Sequence, residues 1–135
     1  MSAPDQPLLL DTAAFLFWHS DSRRLSKRAR AAMLSALERP VFVSTVTGFE
    51  IATKVRLGKL AVPNELLNEL AYVVESDGFR VLELDSVTAV RAGLLPGDHR
   101  DPFDRLLAAQ AIVHRCAVVT PDRLFSDSLG DDVFW

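Results

Sequence analysis

Pro7-Leu8-Leu9-Leu10-Asp11-Thr12 sets three consecutive leucines directly against an aspartate. A strand wetted on one side alternates apolar and polar residues, whereas one covered on both faces is apolar throughout. The leucine run therefore predicts a strand inside a parallel sheet, stopping at Asp11. Val41 to Ser44, Phe79 to Leu84 and Cys116 to Thr120 read the same way. Helix punctuation lies between these runs. Ser26 caps a helix through about Glu38, ahead of Pro40, and a helix from about Thr47 closes at Gly58, with Lys54 and Arg56 in its last turn. Pro63 opens another, ending near Gly78, and Asp101-Pro102 opens one that runs to about Arg115. Strands alternating with helices build βαβ units, so the class is α/β with helices on both faces of the sheet. The acidic tail, Ser128 to Trp135, leaves the sheet at four or five strands.

Composition bounds the rest. The 135 residues suit a single domain, 1–135, that buries roughly two-thirds of its unfolded surface without disulfides. The lone cysteine, Cys116, sits in an apolar run and reads as a core residue, which makes a reducing cytoplasm the expected compartment. The apolar stretch Ala13 to Trp18 falls far short of the ~20 residues a bilayer requires, so a soluble protein with no membrane partner is expected. The net charge of −3 argues against a general nucleic-acid coat, yet the charge is unevenly spread. Arg23, Arg24, Lys27, Arg28 and Arg30 crowd one ridge, while Asp122, Asp127, Asp131 and Asp132 gather late. Such a ridge either grips a phosphate backbone or is a solvated helix face.

Ligands of an open parallel sheet bind beyond the carboxyl ends of its strands. Four acids fall at that edge. Asp11 ends the first strand, Asp122 follows the fourth, and Glu50 and Asp104 occupy the opening turns of helices that start there. Each has a structural alternative. Thr47 to Glu50 has the spacing of a capping box, Asp104 complements a helix dipole, and Thr120-Pro121-Asp122 suits a turn. Together, however, four carboxylates in one half-buried pocket repel one another unless a cation is present. An all-oxygen set without cysteine or histidine selects Mg2+ or Mn2+, and such a site suits phosphodiester hydrolysis by activated water. Thr12 and Thr120 flank the acids as second-layer partners, and Arg105 is a candidate phosphate contact or a solvated first-turn arginine.

Four motifs bear a resemblance to a known family. Leu8 to Thr12 resembles the opening strand and first acid of PIN domains, and Val43 to Leu60 is similar to the second-acid region of VapC toxins. His99-Arg-Asp-Pro-Phe-Asp-Arg-Leu-Leu-Ala-Ala-Gln-Ala111 resembles the third-acid motif, and Val118 to Phe125 the fourth. The resemblance implies a PIN-like three-layer α/β/α domain with a mostly parallel sheet. It also implies Mg2+- or Mn2+-dependent endonucleolytic cleavage of RNA (transfer RNA being a family-level expectation) and inhibition by a VapB-type antitoxin. On it, Asp11, Glu50, Asp104 and Asp122 are the catalytic acids and metal ligands, with Asp101 an alternative to Asp104.

Other readings have less behind them. A haloacid-dehalogenase-type phosphatase also places Asp after its first strand, but its second Asp would stand where Ala13 does. A non-catalytic PIN-like binding module would have lost acids that are all present. A Ser-His-Asp hydrolase lacks the Gly-x-Ser-x-Gly elbow around His19, His99 or His114, although His99 is a candidate substrate contact. Finally, Ala13-Ala-Phe-Leu-Phe-Trp18 is apolar nearly all round, which points to a homodimer and to an antitoxin groove beside Asp11.

Overall fold

The leucine run forms β1 (Leu8–Leu10), and all three side chains are fully buried. The structure is a computed structural model that describes residues 5–97, 101–130 and 132–135. Alternation along β1 explains the burial. Leu8 and Leu10 pack on one face with Val41, Val43, Ala117 and Val119, and Leu9 packs on the other with Phe42 and Val118. Both faces are thus apolar because each meets its own layer of helices. Burying one leucine contributes roughly 1.5–3 kcal/mol, so β1 anchors two cores at once.

The other strands are β2 (Val41–Ser44), β3 (Arg80–Leu82), β4 (Ala117–Val119) and β5 (Val133–Phe134). Among the described residues the sheet has the order β3-β2-β1-β4-β5, with every pairing parallel. The acidic tail therefore does supply a fifth strand: Val133 and Phe134 pair with Val118 and Val119. The α/β class and the sandwiched sheet agree with the sequence reading.

The helices are α1 (Thr12–His19), α2 (Lys27–Met33), α3 (Thr45–Arg56), α4 (Asn64–Asn68), α5 (Leu70–Ser76), α6 (Ser86–Leu94), α7 (Pro102–His114) and α8 (Ser126–Leu129). Three expectations need correction. Helix α3 starts two residues early, because Ser44 caps it by accepting from the Val46 amide, so Thr47 and Glu50 lie inside the helix and form no capping box. The helix expected from Pro63 to Gly78 breaks at Glu69 (φ −134°, ψ 43°) into α4 and α5. The one expected from Ser26 to Glu38 tightens after Met33 into a 3-10 turn, where Ser35 leaves helical geometry (ψ 17°). Helix α6, capped by Asp85 through the Thr88 amide, had no counterpart in the sequence reading. Gly58 does close α3 in the left-handed region (φ 73°), as expected.

The basic ridge is largely a lid on aromatic residues. The Arg24 guanidinium lies 4.7 Å from the Phe17 ring centre, Arg28 4.8 Å from Phe134, and Arg30 5.8 Å from Trp18. Trp135 meets Phe17 edge-on at 6.3 Å, and Phe79 meets Trp18 at 5.2 Å. Much of the apolar surface of α1 is therefore covered from within, and no residue from Ala13 to Trp18 is exposed.

Candidate active site

The chain runs β1, β2, β3 to one side of the sheet and then returns to place β4 and β5 on the other. The direction of winding reverses between β1 and β4, and such a switch point opens a crevice at the carboxyl ends of the strands. Asp11 follows β1 there, and Thr120 follows β4. A pocket of about 410 Å³ occupies the crevice, lined by Asp11, Thr12, Glu50, Asp101, Asp104 and Asp122 together with Arg24, Lys54 and Lys59.

Asp11 does two jobs. It is the N-cap of α1, its Oδ1 accepting from the Ala14 amide at 2.7 Å. Its Oδ2 accepts the Thr120 hydroxyl at 2.5 Å, across a sequence separation of 109. Both oxygens are engaged, and the residue as a whole is only 6% exposed. Burial pushes its pKa from 3.8 up to about 7; the hydrogen bonds from Thr120 and Ala14 oppose the rise, and the charges of Asp104 and Glu50 add to it.

Glu50 is equally buried, on the face of α3 that meets Thr12 of α1. Its Oε1 accepts the Thr12 hydroxyl at 2.6 Å, and the Thr47 hydroxyl lies 3.2 Å from that of Thr12. Its Oε2 accepts from the Lys54 ammonium at 2.7 Å, one helical turn on. That hydrogen bond raises the pKa of Lys54; burial opposes the rise, and the nearby carboxylates of Glu50, Asp101 and Asp104 reinforce it.

The remaining acids divide by role. Asp101 caps α7, its exposed Oδ1 accepting from the Phe103 and Asp104 amides at 2.9 and 3.2 Å. Asp104, in the first turn of α7, is half-buried and acts electrostatically on Asp11. Asp122 accepts from the Leu124 amide at 2.9 Å, while its own amide donates to Thr120 at 3.0 Å. Arg105 turns elsewhere. Its guanidinium donates to the carbonyls of Ala92 and Leu95 at 3.2 and 2.5 Å and to that of Gly93 at 3.3 Å, tying off the end of α6. His99 lies outside the described residues.

Lys54, Lys59 and Arg24 escaped the sequence reading as pocket residues, and Thr47 as the partner of the Thr12 hydroxyl behind it. Lys54 had a usable signal, since Glu and Lys at i and i+4 share a helix face. Arg24 and Lys59 lie outside regular elements, where spacing says nothing about direction.

A hard divalent cation suits this pocket on chemical grounds. Its acids are oxygen donors, and burial, reinforced by the charges of Asp104 and Glu50, disfavours the ionised form of Asp11, a penalty that a bound cation would offset. The acids share the pocket without forming a finished cage: among the described residues, no three Asp, Glu, His or Cys side chains stand close enough to hold an ion as they are.

The PIN domain profile matches residues 8–128. The chain belongs to the PIN-domain family. Within it, the sequence is 31% identical over 117 residues to Ribonuclease VapC22 of Mycobacterium tuberculosis (strain ATCC 25618 / H37Rv), covering 86% of this chain and 87% of that relative. The fold is similar to that in a VapBC2 complex of Rickettsia felis bound to a promoter DNA fragment (TM-score 0.67, 14% identity, 96% of each chain). It is also similar to FitAB bound to an IR36 DNA fragment (TM-score 0.64, 21% identity, 94% of this chain and 93% of that one). FitAcB from Neisseria gonorrhoeae aligns with a TM-score of 0.59 at 22% identity, over 95% of this chain and 96% of that one. At such identities the structural matches speak for the fold. No helix among the described residues is long and apolar enough to cross a membrane.

Proposed function

We propose that this chain is a Mg2+-dependent endoribonuclease and the toxin of a toxin–antitoxin pair, with Asp11, Glu50, Asp104 and Asp122 holding the ion. One observation carries the reading: a switch-point pocket gathers these carboxylates and holds Asp11 near neutral pKa. Kinship with a VapC ribonuclease supports RNA as the substrate class. When bound, the cation supplies Lewis acidity, making water nucleophilic at neutral pH and offsetting charge on the phosphodiester oxygens.

The chain's own residues do the rest. Thr120 and the Ala14 amide fix both oxygens of Asp11, so this carboxylate is oriented before any ligand arrives. Thr12 fixes Glu50 in the same way. Arg24 and Lys59 line the pocket with positive charge, which suits an incoming phosphate. Attack by water on phosphorus with the 3′-oxygen as leaving group breaks the P–O3′ bond, and leaves a 5′-phosphate and a 3′-hydroxyl.

Protein partners are proposed on the same footing. A separate apolar groove of about 430 Å³ between α3, α4 and α5, lined by Phe49, Val55, Leu67 and Leu70, suits an apolar antitoxin segment. A homodimer has a surface in the exposed stripe Val87, Val90 and Leu94 along α6, whereas α1 offers less than its sequence suggested.

The test is direct. Purified chain incubated with single-stranded RNA should cleave in Mg2+ and stop in EDTA, leaving 5′-phosphate ends. Asp11→Asn and Asp104→Asn should be inactive yet folded. Cleavage that survives EDTA, or persists in both variants, refutes the assignment.

A further inference from the structure

Lys54 has no part in the reading above, yet it touches the pocket's second buried carboxylate. Both oxygens of Glu50 are taken, Oε1 by Thr12 and Oε2 by Lys54. Each oxygen keeps a free lone pair, but a divalent ion approaching Glu50 meets the Lys54 ammonium already seated on the same carboxylate, and the two positive charges repel each other. The two partners differ greatly in mobility. Thr12 is buried on the first turn of α1, beside the Thr47 hydroxyl. Lys54 is 44% exposed at the end of a long flexible stem and has solvent to move into. Lys54 is therefore the partner that yields. Its ammonium also lies within the field of Asp101 and Asp104, so it offsets negative charge across the pocket as well as at Glu50.

We propose that Lys54 is a tethered counter-cation that occupies the Glu50 side of the acid pocket and is displaced when a divalent ion binds. The chain thereby carries its own competitor for metal. Without an ion, Lys54 satisfies a buried carboxylate that would otherwise destabilise the fold. With an ion, the freed ammonium joins Arg24 and Lys59 at the pocket wall, where phosphates arrive. Lys54 is on this account a positioning residue that sets metal affinity.

The proposal rests on Glu50 being a metal ligand, and calorimetric titration with Mn2+ separates the two ideas. The proteins compared are the wild type, Lys54→Met, Lys54→Arg, Lys59→Met and Asp11→Asn. Methionine keeps the length of the stem and its helix propensity but cannot pair with Glu50. Removing the competitor should tighten Mn2+ binding by about fivefold, the equivalent of one partly exposed ion pair. Lys59→Met removes the same charge from the same pocket and should change affinity by less than about twofold. Lys54→Arg should behave like the wild type. As a second readout, Mn2+ should raise the melting midpoint of Lys54→Met more than that of the wild type. Unchanged or weaker Mn2+ binding by Lys54→Met overturns the proposal while leaving the metal site standing, provided Asp11→Asn loses binding. Equal tightening by Lys54→Met and Lys59→Met also overturns it, since bulk charge would then be the cause. A wild type that binds no Mn2+ defeats both this proposal and the metal reading beneath it.

Discussion

Replacing Asp11 by Asn should make the metal-free protein more stable, by an amount that depends on pH. The carboxyl of Asp11 has its ordinary pKa of 3.8 when the chain is unfolded and about 7 when it is buried beside Asp104 and Glu50. The folded state therefore holds a proton that the unfolded state has already lost, and stability falls as pH rises through that interval. The gap of roughly three pH units, at about 1.4 kcal/mol each, amounts to about 4 kcal/mol. The loss begins near pH 4 and is complete a little above pH 7. Asn is neutral throughout and caps helices as well as Asp does, and its carbonyl oxygen can still accept from the Ala14 amide. Its amide cannot reproduce the contact with Thr120 in full, so the net gain above pH 7 should be about 2–4 kcal/mol. Urea denaturation in EDTA at several values between pH 4 and pH 8.5 measures it. The variant's advantage should be near zero at pH 4, grow through pH 5 to 7 and then level off. Adding Mg2+ at pH 8 should restore the wild type and leave the variant unmoved. A difference independent of pH, or a wild type that is more stable at pH 8, would refute this account of Asp11.

Further outcomes follow from the same geometry. Thr120→Val removes the hydroxyl that holds down the pKa of Asp11, so the rise of metal-dependent activity with pH should move to higher pH; a superimposable pH–rate profile contradicts this. Arg105→Met leaves the carbonyls at the end of α6 without their donor and should cost about 1–3 kcal/mol in denaturation while RNA binding is retained; lost RNA affinity in a stable variant would return Arg105 to the substrate site. Replacing Arg23 and Lys27 by Gln should leave stability within about 0.5 kcal/mol, whereas Arg28→Gln should cost about 0.5–1 kcal/mol through the lost contact with Phe134. Equal melting midpoints would show that the ridge is simply solvated.

The parts of the molecule legible in its sequence are those where one local signal coincides with the global need. Leu8 to Leu10 could hardly be anything but a doubly buried strand, and Asp101-Pro102 could hardly avoid opening a helix. The carboxyl edge then collected Asp11, Glu50, Asp104 and Asp122 without any knowledge of strand order. Failures came where several residues compete for one role. Ser44 and Thr47 can both cap, and the strand's end favours the earlier. Nothing around Glu69 announces the break between α4 and α5. Val133 and Phe134 make a two-residue strand, too short for periodicity, and it exists because β4 offers an edge. Side-chain direction was the least legible. Arg105 is adjacent to Asp104 in sequence yet reaches the end of α6, and Arg24 and Arg28 lie over rings that no spacing rule connects to them.

The pairing of β1 with β4 carries a kinetic consequence. Leu8 must find Ala117, and the Thr120 hydroxyl must find Asp11 across 109 positions, before the crevice exists at all. Parallel pairing over such distances is slow, because the entropy of closing the loop is lost before any contact offsets it. Until β4 docks, β1 is an open edge of three leucines, able to pair with any other extended chain. Dilute, cool refolding should therefore recover far more protein than concentrated refolding. The acid pocket also forms all at once, since the same closing step completes the sheet and brings Thr120 to Asp11.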